Sequence, residues 1–235
     1  VKDDAPLLPG YRKEAGYSIG QNHAYIDKGY LGSYDEIYGS PKHDSNDGQK
    51  LPGDYYIVDF NGDGVVDAND SAPYGYSSTP QNTYNATLGF EWKGFSCFVQ
   101  FYGVNNVTRE VTLTSFGNQL NTVYDMGTWW SEAGDAADVV TPRWLSTPNS
   151  SYSRGTQYLF DGSYIRLKNA EVAYTFNNNW TKRMGVSNLK LFVSGNNLWV
   201  WSRMPDDRES NFAGSGSQGA YPTVKRINFG VKFTL

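Results

Sequence analysis

Cysteine and histidine are nearly missing. The 235 residues hold one cysteine, Cys97, and two histidines, His23 and His43. An internal disulfide framework and a cysteine-based zinc cluster are therefore excluded. Histidine-centred metal sites and Ser/His/Asp chemistry have little material to use. Long apolar runs are absent too: none approaches the ~18–20 residues that a membrane-spanning helix needs. Only 19% of residues are charged, and 20 Lys+Arg against 24 Asp+Glu leave a net charge of −4. The isoelectric point is near 5.2. With no basic excess to neutralise phosphates, no nucleic-acid partner is expected. No phosphate-cradling glycine loop, zinc signature or nucleophile elbow appears, so no enzymatic activity is expected. The opening Val1–Pro6 shows no charged-then-apolar leader, which suggests a processed chain or an internal or C-terminal portion of a longer one. One membrane option survives these absences. A transmembrane β-barrel alternates apolar and polar residues and so keeps mean hydropathy low, here −0.57.

What is abundant points to strands. Aromatics reach 16%, with 18 Tyr, 12 Phe and 7 Trp, beside 25 Gly. Aromatic and β-branched side chains suit pleated surfaces, and Gly marks turns and bulges. A lectin-like or sandwich domain shares this profile.

Period-2 alternation separates the possibilities. At the end of the chain, Ile227, Phe229, Val231, Phe233 and Leu235 fall on one face, and Arg226, Asn228, Gly230, Lys232 and Thr234 on the other. Residues 83–92 repeat this: Tyr84, Ala86, Leu88, Phe90 and Trp92 alternate with Asn85, Thr87, Gly89 and Glu91. A tight turn at Lys93-Gly94 leads into Phe95, Cys97, Val99 and Phe101. The pair reads as a hairpin of ~10-residue strands, long enough to cross a bilayer when tilted. Residues 163–176 carry Ile165 and Leu167 on one parity and Val172, Tyr174 and Phe176 on the other, so a bulge is expected near Lys168–Ala170. Residues 188–201 alternate Leu189, Leu191 and Val193 with Lys190 and Ser194, and close on Trp199 and Trp201. Tryptophans at a strand end fit an interfacial girdle, and a buried Trp pair fits equally well.

Connections alternate between long (31–82, 103–162, 202–223) and short (93–94, 177–187). An up-and-down barrel with elaborate loops on one side and short turns on the other gives this alternation. Structureless loops beyond ~15 residues are uncommon in compact domains.

One stretch carries recognisable chemistry. Asp59-x-Asn61-x-Asp63-Gly64-Val65-x-Asp67-x-x-Asp70 places oxygen ligands at positions 1, 3, 5, 9 and 12 of a calcium loop, with glycine at 6 and the Val65 carbonyl at 7. Ca²⁺ takes 6–8 hard oxygens from a tightly coiled loop, which this spacing supplies. The competing reading is a metal-free turn whose Asp and Asn side chains cap their own backbone. Tyr55–Val58 reads as strand and Pro73 follows closely, so helices do not flank the loop. A bound structural calcium would stiffen the 31–82 loop.

The segments Asp59–Asp67, Leu88-Gly89-Phe90-Glu91-Trp92-Lys93-Gly94-Phe95, Asp161–Asn169, Val186–Leu198 and Tyr221–Leu235 occur in an order and spacing that resembles the C-terminal part of the SusC/RagA family of TonB-linked outer-membrane transporters of Bacteroidetes. The resemblance runs from about Gly16 to the end. It implies an all-β fold: the C-terminal strands of a 22-stranded antiparallel transmembrane barrel with long extracellular loops at 31–82, 103–162 and 202–223. It implies a multi-pass protein of the bacterial outer membrane, in contact with outer-membrane lipid. It also implies uptake of oligosaccharides or peptides with a SusD-like surface lipoprotein, powered by TonB through a plug-bearing N-terminal part that these residues lack. The alternative is a calcium-stabilised β-rich carbohydrate-binding module in which the same aromatics form a glycan platform. If Phe229, Val231 and Phe233 are enclosed in a globule, the barrel reading fails.

Weaker signals remain. Glu132, Asp135 and Asp138 beside Trp129-Trp130 could pair as general acid and base, although a solvated loop face explains them better. Trp129, Trp130, Trp144 and Tyr152 could stack on sugar rings. Arg203, Asp206, Asp207, Arg208 and Glu209 read as a surface ion-pair cluster, and Gly214-Ser215-Gly216-Ser217 as a loop tip.

Overall fold

The computed structural model describes residues 7–110, 128–129, 139–141, 155–156, 159–176, 181, 183, 185–204 and 223–234. In chain order its strands are β1 (His23–Tyr25), β2 (Asp27–Tyr30), β3 (Lys42–His43), β4 (Tyr55–Ile57), β5 (Val65–Val66) and β6 (Ser71–Pro73), then β7 (Asn82–Trp92) and β8 (Phe95–Asn105). They continue with β9 (Thr108–Glu110), β10 (Thr128–Trp129), β11 (Val139–Thr141), β12 (Leu159–Asp161), β13 (Tyr164–Phe176), β14 (Asn188–Ser202) and β15 (Arg226–Thr234). The described α-helix is α1 (Tyr34–Gly39), and no helix among the described residues is long and apolar enough to cross a membrane. Two compact units emerge. One combines Val1–Thr79, Val107–Asp161 and Asn211–Ala220; the other combines Pro80–Asn106, Gly162–Ser210 and Tyr221–Leu235.

The second unit is a five-stranded sheet ordered β15-β14-β13-β8-β7, with antiparallel neighbours throughout. All five strands coincide with the alternating segments of the sequence. The β7–β8 hairpin turns at Lys93 (φ 46°) and Gly94 (φ 88°), the paired left-handed residues of a two-residue turn that matches strand twist. Gly94 is required there for a second reason: a Cβ would stand 2.6 Å from the Thr175 carbonyl oxygen. That same backbone contact ties the turn to β13, because Thr175 N donates to Gly94 O at 2.7 Å.

The expected bulge is present. β13 shifts register against both neighbours between Leu167 and Asn169. Between the row Gln100–Asn169–Asn196 and the row Phe101–Leu167–Trp199, β8 has no extra residue, β13 has Lys168, and β14 has Asn197 and Leu198. Asn197 takes φ 52° to accommodate this. Each successive strand is longer at this level, which bends and twists the sheet.

The first unit is built from small sheets: β1 with β6, β2 with β4, β3 with β5, β9 with β12, and β10 with β11. The stretch 31–82, read from sequence as a long link, is thus not structureless: it contains α1 and strands β3 to β6. Tyr55, Ile57 and Val66 form its buried cluster, with Tyr25 and Tyr30 packed against it. Tyr30 stacks on Tyr55 at 5.1 Å between ring centroids. Ser33 caps α1 by accepting from Glu36 N at 3.3 Å. Lys50 is buried, yet its ammonium is fully met: Asp47 at 2.7 Å, Ser40 Oγ at 3.1 Å and the Pro41 carbonyl at 3.0 Å.

Candidate functional site

The five-stranded sheet has two chemically opposed faces, and strand register fixes which residue belongs to which. On one face the row Trp92–Phe95–Tyr174–Leu191–Val231 lies nearest the hairpin turn. The row Tyr84–Gly103–Ile165–Trp201 lies at the other end. Between them run Leu88, Phe90, Val172, Val193, Ile227 and Phe229. These side chains are exposed: Phe229 is 80% accessible, Val231 62% and Phe233 60%. A sheet in water does not hold such a continuous apolar area uncovered. Aromatics mark both edges of the band. Lys93 Nζ lies 4.9 Å over the Trp92 ring at one end, and Arg203 lies 5.8 Å over Trp201 at the other. From Tyr84 to Trp92 the strand runs roughly 27 Å at ~3.4 Å per residue, which, tilted, matches an apolar bilayer band of ~25 Å.

The opposite face mixes aromatics, among them Phe98, Tyr102 and Phe192, with a cross-linked row of polar groups. Gln100 Nε2 donates to Asn85 Oδ1 at 3.1 Å, Asn169 Nδ2 to Gln100 Oε1 at 2.6 Å, and Asn196 Nδ2 to Asn169 Oδ1 at 2.6 Å. A chain of amides therefore crosses β7, β8, β13 and β14. Arg226 on β15 is in register with its last member, Asn196. Lys190 Nζ meets Glu171 Oε1 at 2.8 Å. Pattern reading missed this network. Alternation puts Asn85, Gln100, Asn169 and Asn196 on the polar side of their strands, but only the pairing across long connections aligns them.

The calcium-type residues form a tight capped loop in the first unit. Asp59 Oδ1 accepts from Gly62 N (2.7 Å) and Asp63 N (3.2 Å), and its Oδ2 accepts from Gly64 N (2.7 Å). Asn61 Oδ1 accepts from Asp63 N at 2.8 Å, and Asp63 Oδ1 accepts from Val65 N at 2.9 Å. Asp67 and Asp70 make a capping box around residues 68–70. Asp70 is fully buried and accepts from Phe60 N (2.7 Å), Asn61 N (3.2 Å) and Asp67 N (2.7 Å). Arg12 Nη1 steadies the loop from the N-terminal segment by donating to Asn69 Oδ1 at 3.0 Å. Gly62 and Gly64 hold φ of 74° and 92°. Asp59, Asn61, Asp63, Val65, Asp67 and Asp70 are thus brought into one loop. Their side-chain oxygens, however, accept from backbone N–H groups and from the amides of Asn61 (to Asp63 Oδ2, 2.8 Å) and Asn69 (to Asp67 Oδ2, 3.0 Å), and among the described residues no group of three or more His, Cys, Asp or Glu is gathered around a metal-sized point.

The candidates Glu132, Asp135, Asp138, Trp130, Trp144 and Tyr152, the cluster Asp206–Glu209 and the tip Gly214–Ser217 lie outside the described residues. Of Trp129 only its place in β10 is described.

A sheet with one exposed apolar face rimmed by aromatics, and one face crossed by a hydrogen-bonded polar row, is a stretch of an outer-membrane β-barrel wall. The chain is homologous to TonB-dependent receptors. It is 27% identical over 231 residues to TonB-dependent receptor P3 of Formosa agariphila, covering 92% of this chain and 22% of that protein. It is also 27% identical over 191 residues to TonB-dependent receptor P26 of the same organism, covering 75% and 19%. In fold it is similar to the RagAB peptide importer in the open-open state, with a TM-score of 0.57 at 17% identity over 91% of this chain and 22% of that one. The RagAB peptide transporter matches with the same score at 18% identity. No protein-family model matches. The chain spans about a fifth of these relatives' length, and the expected barrel fold and outer-membrane setting are borne out.

Proposed function

We propose that this chain supplies part of the barrel of a TonB-dependent outer-membrane importer that takes up oligosaccharides or peptides together with a SusD-like lipoprotein. The observation that carries the reading is the two-faced wall: exposed Phe229, Val231 and Phe233 on one face, which the reading sets against lipid, and the amide chain of Asn85, Gln100, Asn169 and Asn196 on the other, which it sets toward the barrel interior. Homology to TonB-dependent receptors supports energised import over a passive pore. In this reading the first unit belongs to the extracellular loops. The test is growth and labelled-cargo uptake by cells carrying the whole receptor, with and without TonB. Uptake that persists without TonB, or recovery of the receptor outside the outer-membrane fraction, contradicts it.

A separate part of the reading concerns the Asp59–Asp70 loop, which we propose takes a structural Ca²⁺. Ligand spacing and the left-handed Gly64 at position 6 support this; side-chain convergence does not. An ion there would draw on the oxygens of Asp59, Asn61, Asp63, Asp67 and Asp70 and the Val65 carbonyl. Sensitised Tb³⁺ luminescence from the whole receptor, displaced by Ca²⁺ and lost in Asp63→Ala, checks it. No signal leaves the loop as a self-capped turn.

A further inference from the structure

We infer that the apolar side of this wall seats one acyl chain of an anionic phospholipid, from the leaflet on the side of the short turns. The inference rests on the outer-membrane barrel setting and is independent of what the barrel imports. A groove of about 490 Å³ crosses the apolar face of the sheet. Strand register explains it. One wall is the row Tyr174–Leu191–Val231, with Phe95 at its β8 end. The other wall is the row Val172–Val193–Phe229. Between the two rows, Ala173 and Phe192 send their side chains to the opposite face and Gly230 has none, so backbone forms the floor. The groove spans four strands, roughly 14 Å at ~4.8 Å between neighbours. Within a membrane such a groove fills with methylene groups, because a void forfeits the dispersion contacts of its lining.

Charge at the near end selects the lipid. The β7–β8 turn and the 177–187 connection close the same end of the sheet, since Phe95 opposes Tyr174 and Thr175 N donates to Gly94 O. These two links carry Lys93, Lys182 and Arg183 and no Asp or Glu. Lys93 Nζ lies 4.9 Å over the Trp92 ring, and Arg183 is exposed. The acids of the five strands, Glu91 and Glu171, lie on the opposite face. So do Lys190 and Lys232, which stand opposite each other in register and do not reach the lipid. From Lys93 to the rows at Phe95 and Cys97 is two to four residues, roughly 7–13 Å. That span separates a headgroup phosphate from the upper methylenes of its own chain. Tyr174, edge-on to Phe176 at 4.6 Å between ring centroids, places an amphipathic ring at the headgroup end of the groove. Each cation at a membrane surface favours an anionic headgroup roughly fivefold.

The experiment titrates the whole receptor, purified in mild detergent, with dioleoyl phosphatidylglycerol or dioleoyl phosphatidylethanolamine, and counts bound lipids by native mass spectrometry. One phosphatidylglycerol is expected to bind on the order of tenfold more tightly than phosphatidylethanolamine. Lys93→Gln with Arg183→Gln is expected to erase that preference, and Val193→Trp, which fills the groove, to weaken both lipids. The charge variant alters only the links between strands and provides the reading should the tryptophan variant fail to assemble. Equal affinity for the two lipids, a preference that survives the charge variant, or a receptor that pairs with a second copy and holds no lipid overturns the inference. Cargo uptake plays no part in the result: a receptor that holds phosphatidylglycerol but imports nothing loses the import reading and keeps this one.

Discussion

The ring of Phe192 on β14 lies over the α-carbon of Gly230, its register partner on β15. A Cβ at residue 230 would collide with the Phe192 ring edge, so glycine is what lets an aromatic lie flat on the inner face. Replacing Gly230 by valine should force Phe192 out of its rotamer and destabilise the β14–β15 pair by about 1–3 kcal/mol. Urea unfolding of the whole receptor in lipid vesicles measures this. Adding Phe192→Ala should recover a large part of the loss; a double variant no better than the single one refutes the contact.

Asn169 sits in the middle of the amide chain, donating to Gln100 and accepting from Asn196 at 2.6 Å each. Asn169→Leu removes both bonds. At about 1 kcal/mol per bond, the expected loss is ~1–2 kcal/mol, read as a lower temperature for loss of the compact, heat-modifiable band. Asn228→Leu, which lies on the same face outside the chain, should lower it less.

The two faces predict opposite tolerance of charge. Phe229→Arg, toward lipid, should cost about 2–4 kcal/mol if the residue lies near the bilayer midplane. Asn228→Arg, one residue away, should be nearly neutral. Equal effects in vesicle refolding would show that the faces are misassigned.

Acid should loosen the segment around His43. Burial, reinforced by Lys50, holds the His43 imidazole below its ordinary value of 6.5. The folded state therefore prefers it neutral, and stability falls as pH drops from about 6.5 through the lower folded value. Burial alone would raise Asp47, but hydrogen bonds from Lys50 and the His43 backbone hold it below 3.8. Its contribution persists above that pH and is lost further into acid. The protection factors of the His43 and Lys50 amides, that is, exchange rates corrected for their intrinsic pH dependence, should fall below about pH 6.5, and His43→Phe should flatten the first phase.

Asp70 should matter more than its loop neighbours. Asp70→Ala leaves the N–H groups of Phe60, Asn61 and Asp67 without their acceptor, each lost bond costing about 1 kcal/mol. Proteolysis within residues 58–70 should rise sharply in that variant. The exposed Asp63→Ala should change it little in the absence of calcium.

The sequence alone determined the five long strands β7, β8, β13, β14 and β15, the hairpin turn at Lys93-Gly94, the bulge near Lys168 and the outward-facing parity of each of these strands. Side chains alternate with period 2, so one buried or lipid-facing surface imprints itself on every strand. It also displayed the oxygen spacing from Asp59 to Asp70. Tertiary structure decided what spacing could not: which strands neighbour each other across connections such as 106–163, and in what register. That register aligns Asn85, Gln100, Asn169 and Asn196, sets Lys190 against Lys232, and lays Phe192 on Gly230. It also decided that the Asp59–Asp70 side chains turn to their own backbone. Such contacts depend on pairing between residues far apart in the chain, and local periodicity carries no information about which distant strand becomes the partner.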